Sequence, residues 1–266
     1  MNTGTLYVVP CTLGDSDPSH VLPPATLNIV RGLERFVAEE PKSARAFLKR
    51  AGIRRPLREI LIEAFNQQTD RRGLPALLQP LLDGFDLGLL SEAGYPAVAD
   101  PGAELIALAQ ERGLRVIPLV GPSSVLLALA ASGLNGQSFC FHGYLPVKAG
   151  ARAVRIRELE ARSRSEHAAQ IFIETPYRNN QLLAALLEVL QPDTRLCIAS
   201  ELTLTNEMAR TMSVERWRAQ MTDLDRKPTV FALQAAERLP ASGVSAPGKR
   251  WRAEAASRRQ RLPAGG

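Results

Sequence analysis

Short apolar runs rich in β-branched residues alternate with amphipathic stretches along most of the chain, the pattern of an α/β protein. Strands are predicted near Leu6–Val9, Phe36–Glu39, Leu87–Leu90 and Arg115–Val120, and helices near Ala25–Leu33, Ser43–Ala51, Leu74–Leu82 and Ala103–Arg112. Gly113 is placed to stop the last of these, because glycine tolerates the left-handed residue that follows a helix. A further helix over Ser123–Ala131 would end before Gly133. Around Gly133-Leu134-Asn135-Gly136 the pattern changes, and the domain boundary is expected there, with one α/β domain over 1–134 and a second over 135–240. The second opens with a polar, arginine-rich helix (Arg152–Arg164), then a strand at Ile171–Glu174 and a helix at Arg178–Leu190. Strands at Leu196–Ala199 and Thr229–Gln234, with a helix at Val214–Met221 between them, complete it. From Ala241 onward Ser, Gly, Pro, Ala and Arg dominate with no apolar period, so 241–266 is expected to be a disordered tail.

The 266 residues suffice for one large core or two modest ones. With 45% hydrophobic and 23% charged residues the composition is ordinary for a globular protein, which leaves the patterning as the informative signal. No apolar run reaches the ~18 residues of a membrane span. The N-terminal stretch lacks the charge and long apolar core of an export signal, so a cytoplasmic location is expected. Cys11, Cys140 and Cys197 and the histidines His20, His142 and His167 are scattered, with no CxxC or HxxxH pair, so no metal site is expected. A formal charge of +6 suggests an acidic partner such as RNA. Residues 241–266 hold six basic residues against Glu254, a net of +5, so the rest of the chain is near neutral at +1.

The stretch Ser91–Gly102 (Ser-Glu-Ala-Gly-Tyr-Pro-Ala-Val-Ala-Asp-Pro-Gly) follows a buried strand and precedes a helix, where open α/β sheets bind ligands. Its two prolines and interior glycine fix an unusual backbone path. Asp100-Pro101 alone reads as a plain helix start, with Asp100 as the cap; Glu92 and Gly94–Pro96 are not explained that way. Gly121-Pro122-Ser123-Ser124 opens the next helix after another buried strand and offers free N–H groups and hydroxyls to a carboxylate, or simply caps. Two such loops after neighbouring strands point to one shared ligand. GxGxxG, GxxxxGK[ST] and GxSxG are all absent, which removes support for a dinucleotide site, a P-loop and a nucleophile elbow.

With Gly4–Val9, Gly143-Tyr144-Leu145-Pro146, Glu174-Thr175-Pro176-Tyr177-Arg178 and Glu201-Leu202-Thr203 in the same order, these two loops resemble the tetrapyrrole methylase superfamily of S-adenosylmethionine-dependent methyltransferases. In particular they resemble the branch of small-subunit ribosomal RNA ribose 2′-O-methyltransferases. The resemblance covers Gly4 to about Gln234. It implies two α/β domains with S-adenosylmethionine in the cleft between them, and a homodimer. Carried over by position, Leu13 closes on the adenosine or methionine part, Glu92 and Pro96 line the proline-rich side, and Ser123 and Ser124 meet the carboxylate end. Thr175, Ala199 and Pro228 of the second domain surround the adenine.

Where that branch has Thr-Pro-Ile-Gly-Asn, Glu-Asp-Thr-Arg and Tyr-His-Glu-His-Asn-Glu, this chain has Cys11–Asp15, Glu39-Glu40-Pro41-Lys42 and Ile62–Gln67. The cofactor half is kept and the acceptor half altered. RNA is the first expectation for the acceptor; a small molecule such as a tetrapyrrole precursor, or a regulator that binds cofactor without catalysis, are the alternatives. A ribose hydroxyl needs help losing its proton, whereas a carbon or nitrogen acceptor need not. Glu39, Glu40 and Glu63 are the candidate bases or positioning groups, although a solvated or capping carboxylate is the commoner reading of each taken singly. Lys42, Arg45, Asn66 and Arg178 are the acceptor-side candidates, and Lys42–Arg58 is a basic segment that either tracks phosphates or forms a solvated face.

Overall fold

A strand that is apolar on both faces belongs in the middle of a parallel sheet, and all four residues of Leu87–Leu90 are buried there. The computed structural model describes residues 3–66, 69–220 and 222–236. Its first half runs β1 (Thr5–Val9), α1 (Pro24–Gly32), β2 (Arg35–Ala38), α2 (Pro41–Ala51), β3 (Leu61–Ala64), α3 (Leu74–Leu77), α4 (Gln79–Leu82), β4 (Leu87–Leu90), α5 (Ala103–Glu111) and β5 (Arg115–Pro118). The five strands form one parallel sheet in the order β3-β2-β4-β1-β5. Side-chain alternation sorts its two faces. Phe36 and Ala38 pack with α1 and α2 through Val30, Phe47 and Leu48, while Val37 joins Leu78, Leu81 and Leu105 on the other face.

The second half runs α6 (Ser124–Ser132), β6 (Phe139–Tyr144), α7 (Ala149–Glu166), β7 (Ala169–Ile173), α8 (Asn179–Val189), β8 (Arg195–Ser200), β9 (Met208–Ser213), α9 (Val214–Arg218) and β10 (Thr229–Gln234). Its mixed sheet has the order β6-β7-β10-β8-β9, parallel only between β6 and β7. One face carries α7, α8 and α9 over Phe172 and Phe231, whose rings stack 6.0 Å apart. The other face takes Val125, Ala128 and Leu129 of α6 against Ile171, Ala199 and Val230.

The apolar runs became the strands predicted from them to within about two residues, Thr229–Gln234 at both ends. Three strands were not predicted: β3, β6 and β9. The expected helix over Leu74–Leu82 is two single turns, because Pro80 has no N–H to continue the ladder and its ring crowds the carbonyl four residues back. Asp100 is not a helix cap; Gly102 is the cap residue and α5 begins at Ala103. The loops Ser91–Gly102 and Gly121–Ser124 do not follow neighbouring strands: β4 and β5 flank β1 on either side. Helix α6, which precedes Gly133, packs on the second sheet. The expected tail at 241–266 lies outside the described residues.

Candidate active site

The carboxyl ends of β2, β4 and β1 carry the residues of interest, each set by the loop that leaves its strand. After β4 the backbone turns through four residues with positive φ: Gly94 (69°), Ala97 (67°), Ala99 (66°) and Gly102 (137°). An L-residue in the left-handed region costs roughly 1–2 kcal/mol, so Ala97 and Ala99 hold this path only because the loop is pinned. Ala97 N–H donates to the Pro101 carbonyl (3.2 Å) and Val98 N–H to that of Tyr95 (3.3 Å). The Tyr95 hydroxyl donates to the Leu119 carbonyl (2.6 Å) and accepts from Gly121 N–H (3.1 Å), bridging the ends of β4 and β5 across β1. This bridge accounts for Gly94–Pro96, which capping left unexplained.

Cys11 joins the same corner: its N–H donates to the Gly94 carbonyl (2.8 Å) and its thiol to that of Ser91 (3.2 Å). Burial pushes that thiol up to about 12, so it stays protonated and serves as packing. At Gly121 the chain passes the end of β1 so closely that a Cβ would lie 2.3 Å from Pro10 Cγ. Only glycine permits that approach. Ser123 then caps α6 by accepting from Leu126 N–H, and Ser124 is the first helical residue.

Between these loops and the second sheet lies a cleft of about 350 Å3. Leu13, Glu92, Ala93, Asp100 and Ser124 line one wall; Tyr144, Glu174, Ala199, Pro228 and Val230 line the other. Behind the second wall the Glu174 side chain has no exposed surface. Its Oε1 accepts from Thr175 N–H (2.7 Å) and Arg178 Nη2 (2.6 Å). Asn179 Nδ2 donates to the Lys227 carbonyl (2.6 Å), tying that turn to the Pro228 segment.

A second cavity, about 440 Å3, opens beside the cleft and is lined by Phe65, Asn66, Thr69 and Arg71 together with Ala99 and Asp100, which both cavities share. Carboxylates gather where they meet. Glu39, one residue past β2, accepts from Glu92 N–H; burial, then Asp100 and Glu92, push its carboxyl up to about 7. Burial and Glu92 raise Asp100 to about 6, against a hydrogen bond from Ser91. Glu92 itself accepts from the Ser43 hydroxyl at 3.3 Å. Tyr144 is pushed up by burial and by Asp100, Glu174 and Glu39, so it is a neutral hydroxyl facing a negative corner. Among the described residues no group of three or more His, Cys, Asp or Glu side chains is disposed to hold a metal ion.

Of the residues expected at a cofactor, the structure brings Leu13, Glu92, Ser124, Ala199 and Pro228 together on the cleft. Pro96 is buried under its loop, Ser123 accepts from Leu126 N–H as the cap of α6, and Thr175 is half-buried with its N–H on Glu174; none of the three is in the cleft lining. Among the candidate bases only Glu39 reaches the corner. Glu40 caps α2 through Lys42 N–H, and Glu63 sits on β3 in a separate hollow with Arg35 and Pro80. Lys42 and Arg45 are exposed on α2, Asn66 lines the second cavity, and Arg178 is paired with Glu174. Asp100, Tyr144 and Glu174 were missed. Asp100 was hidden by its resemblance to a cap; Tyr144 and Glu174 were present in short motifs with no chemistry assigned.

Two α/β layers with a ligand-sized cleft at the carboxyl ends of a parallel sheet define the class, and the sequence profile of the Tetrapyrrole (Corrin/Porphyrin) Methylases matches residues 5–216: the chain belongs to that family. Among curated proteins it is similar to "Ribosomal RNA small subunit methyltransferase I" of Mesorhizobium japonicum, 38% identical over 68% of this chain and 61% of that protein. The protein of the same name from Pseudomonas aeruginosa is 32% identical over 80% of this chain and 71% of its own length. The crystal structure of the methyltransferase CobJ superposes with a TM-score of 0.58 over 90% of this chain and 98% of that one, at 17% identity. Uroporphyrin-III-C-methyltransferase from Thermus thermophilus gives 0.52 over 87% and 94%, at 18% identity. The last two agree in fold.

Proposed function

We propose that the protein is an S-adenosylmethionine-dependent methyltransferase whose acceptor is RNA. The observation that carries this reading is the position of the cleft against the basic helix that starts at its rim. The cleft volume lies within the roughly 300–1,000 Å3 of small-molecule sites. Its apolar residues Leu13, Ala199, Pro228 and Val230 suit a nucleoside, and the N-terminal N–H groups of α6 beside Ser124 suit a carboxylate. When bound, S-adenosylmethionine supplies a methyl group already activated by its sulfonium. The protein then has to align the acceptor and take up its proton.

Helix α2 begins two residues beyond Glu39 and is joined to the cleft through Ser43 and Glu92. Lys42, Arg45 and Lys49 are exposed on one face of it, at i, i+3 and i+7, and none of them forms an ion pair among the described residues. Arg50, by contrast, is paired with Asp15. An unpaired basic stripe leading to a cleft suits a phosphate backbone, and the relatives named for ribosomal RNA agree with that acceptor.

A homodimer is part of the same reading. Helix α6 is apolar on all sides, and Leu126 is 55% and Val120 68% exposed; a helix of that kind is covered in the working protein. A cytoplasmic location goes with an RNA acceptor and with three free cysteines. No helix among the described residues is long and apolar enough to cross a membrane.

The test is incubation with methyl-labelled S-adenosylmethionine and separated RNA, protein and small-molecule fractions of a cell. Label in RNA is expected. Label confined to a small-molecule fraction replaces RNA by a tetrapyrrole-like acceptor, and cofactor binding without label in any fraction leaves a regulator.

A further inference from the structure

We propose that Glu39 is the proton acceptor of the reaction, placed at the seam between the cofactor cleft and the neighbouring cavity, and that this cavity receives the nucleoside whose hydroxyl is methylated. The inference rests on the methyltransferase reading above and assigns roles within that site. The seam is set by strand order. Strands β3, β2 and β4 lie side by side, so the residues that follow them also lie side by side: Phe65 and Asn66, then Glu39, then Ser91 and Glu92. Phe65 N–H donates to the Ala38 carbonyl (2.9 Å), and Glu39 N–H to that of Leu90 (3.4 Å), which locks this row. Phe65 and Asn66 line the second cavity and Glu92 lines the cleft; Glu39, between them in this row, meets the seam through Glu92 N–H and Asp100 and is not itself part of either lining. Asp100, which walls both cavities, faces it.

The second cavity offers a nucleoside the ring edge of Phe65, the amide of Asn66, the hydroxyl of Thr69, which accepts from Asn66 N–H, and the guanidinium of Arg71, which is held by an ion pair to Glu104 of the same lining. The charges acting on Glu39 are carboxylates, Asp100 and Glu92 from the loop after β4, with Tyr144 approaching from β6. Among the described residues no lysine or arginine pairs with it. The result is a carboxyl of about 7, and a base is most effective when its pKa lies near the working pH. In the step itself the acceptor oxygen bonds to the methyl carbon. The carbon–sulfur bond breaks with its electron pair left on sulfur, and the hydroxyl proton passes to the Glu39 carboxylate. A neutral thioether, a methyl ether and a neutral carboxyl result.

The experiment compares wild type, Glu39→Gln and Glu39→Asp in single-turnover transfer to ribosomal RNA between pH 5.5 and 9, with cofactor and RNA affinities measured by titration. Wild type is expected to rise tenfold per pH unit and level off near 7. Glu39→Gln should fall at least about 100-fold and lose that rise, while both affinities stay within twofold; Glu39→Asp should recover part of the rate. Carboxylate 13C NMR of the cofactor-free protein reads the site without turnover: Glu39 should titrate near 7 and move down in Asp100→Asn. A fully active Glu39→Gln overturns the proposal while leaving the methyltransferase reading intact. A wild type that labels only nitrogen or carbon acceptors overturns the proposal and leaves the methyltransferase reading intact, and one that labels no acceptor overturns both. A Glu39 that titrates near 4.5 and ignores Asp100→Asn overturns the assignment of the seam, whatever the acceptor.

Discussion

A carboxyl held at about 7 in the folded chain and at about 4.5 in the unfolded one links proton uptake to stability. The fold favours the protonated form of Glu39, so its contribution is complete below about pH 4.5 and is lost as pH rises through 7. Glu39→Gln, which cannot ionise, should therefore melt above wild type at pH 8 and level with it at pH 4, as scanning calorimetry at the two pH values will show. Tyr95 makes the opposite prediction. Its hydroxyl serves both Leu119 and Gly121, and Tyr95→Phe leaves two main-chain groups short of a partner at roughly 1–3 kcal/mol for a group that cannot rehydrate. Lower melting and weaker cofactor binding are both expected, since the loops on either side of β1 lose their tie. At this scale the two loops read from the sequence do line the cleft through Glu92 and Ser124, while Pro96, Ser123 and Thr175 are not among its lining residues. Glu39, Glu40 and Glu63 look alike in a string of letters, and only the strand ends separate the one beside Glu92 and Asp100 from a cap and from an edge residue.

Every central strand was legible from hydrophobic pattern, with the edge strand β5 besides, and the reason is where burial falls. Strands β4, β8 and β10 are buried almost end to end and announce themselves as apolar runs. The three unpredicted strands, β3, β6 and β9, are all sheet edges. Leu61–Ala64 is mostly exposed, Phe139–Tyr144 is interrupted by a register shift, and Met208–Ser213 mixes arginine and threonine with methionine. An edge strand has one neighbour and half a buried face, so its composition is not forced. Helix α2 carries a prediction of its own. Changing Lys42, Arg45 and Lys49 together to alanine removes three phosphate contacts, which should lower the slope of log affinity against log salt by about 2. Filter binding to ribosomal RNA across salt will measure it, with cofactor affinity as the unchanged control; an unaltered slope would make the stripe a solvated face.

For the molecule as a whole, the two-layer architecture was readable because each layer keeps its own apolar rhythm, whereas the cleft was reached only through the family resemblance, since its walls come from loops far apart in sequence. The exposed apolar surface of α6 and Val120 belongs to this scale. Leu126→Glu should shift the sedimentation coefficient from a dimer's to a monomer's with the far-ultraviolet circular dichroism unchanged; a wild type that sediments as a monomer removes the dimer. One consequence of strand order concerns synthesis. Strand β10 is the middle strand of the second sheet, yet it is the last strand of the described residues to leave the ribosome. The first sheet is complete once Pro118 has emerged, but β7 and β8 have no shared neighbour until Thr229–Gln234 is made. Nascent chains halted before Thr229 should therefore resist protease over their first half and be cut within their second. The wall that holds Ala199, Pro228 and Val230 in place is thus assembled only after Thr229–Gln234 has emerged, and a chain halted earlier carries a formed proline-rich loop with nothing to close against it.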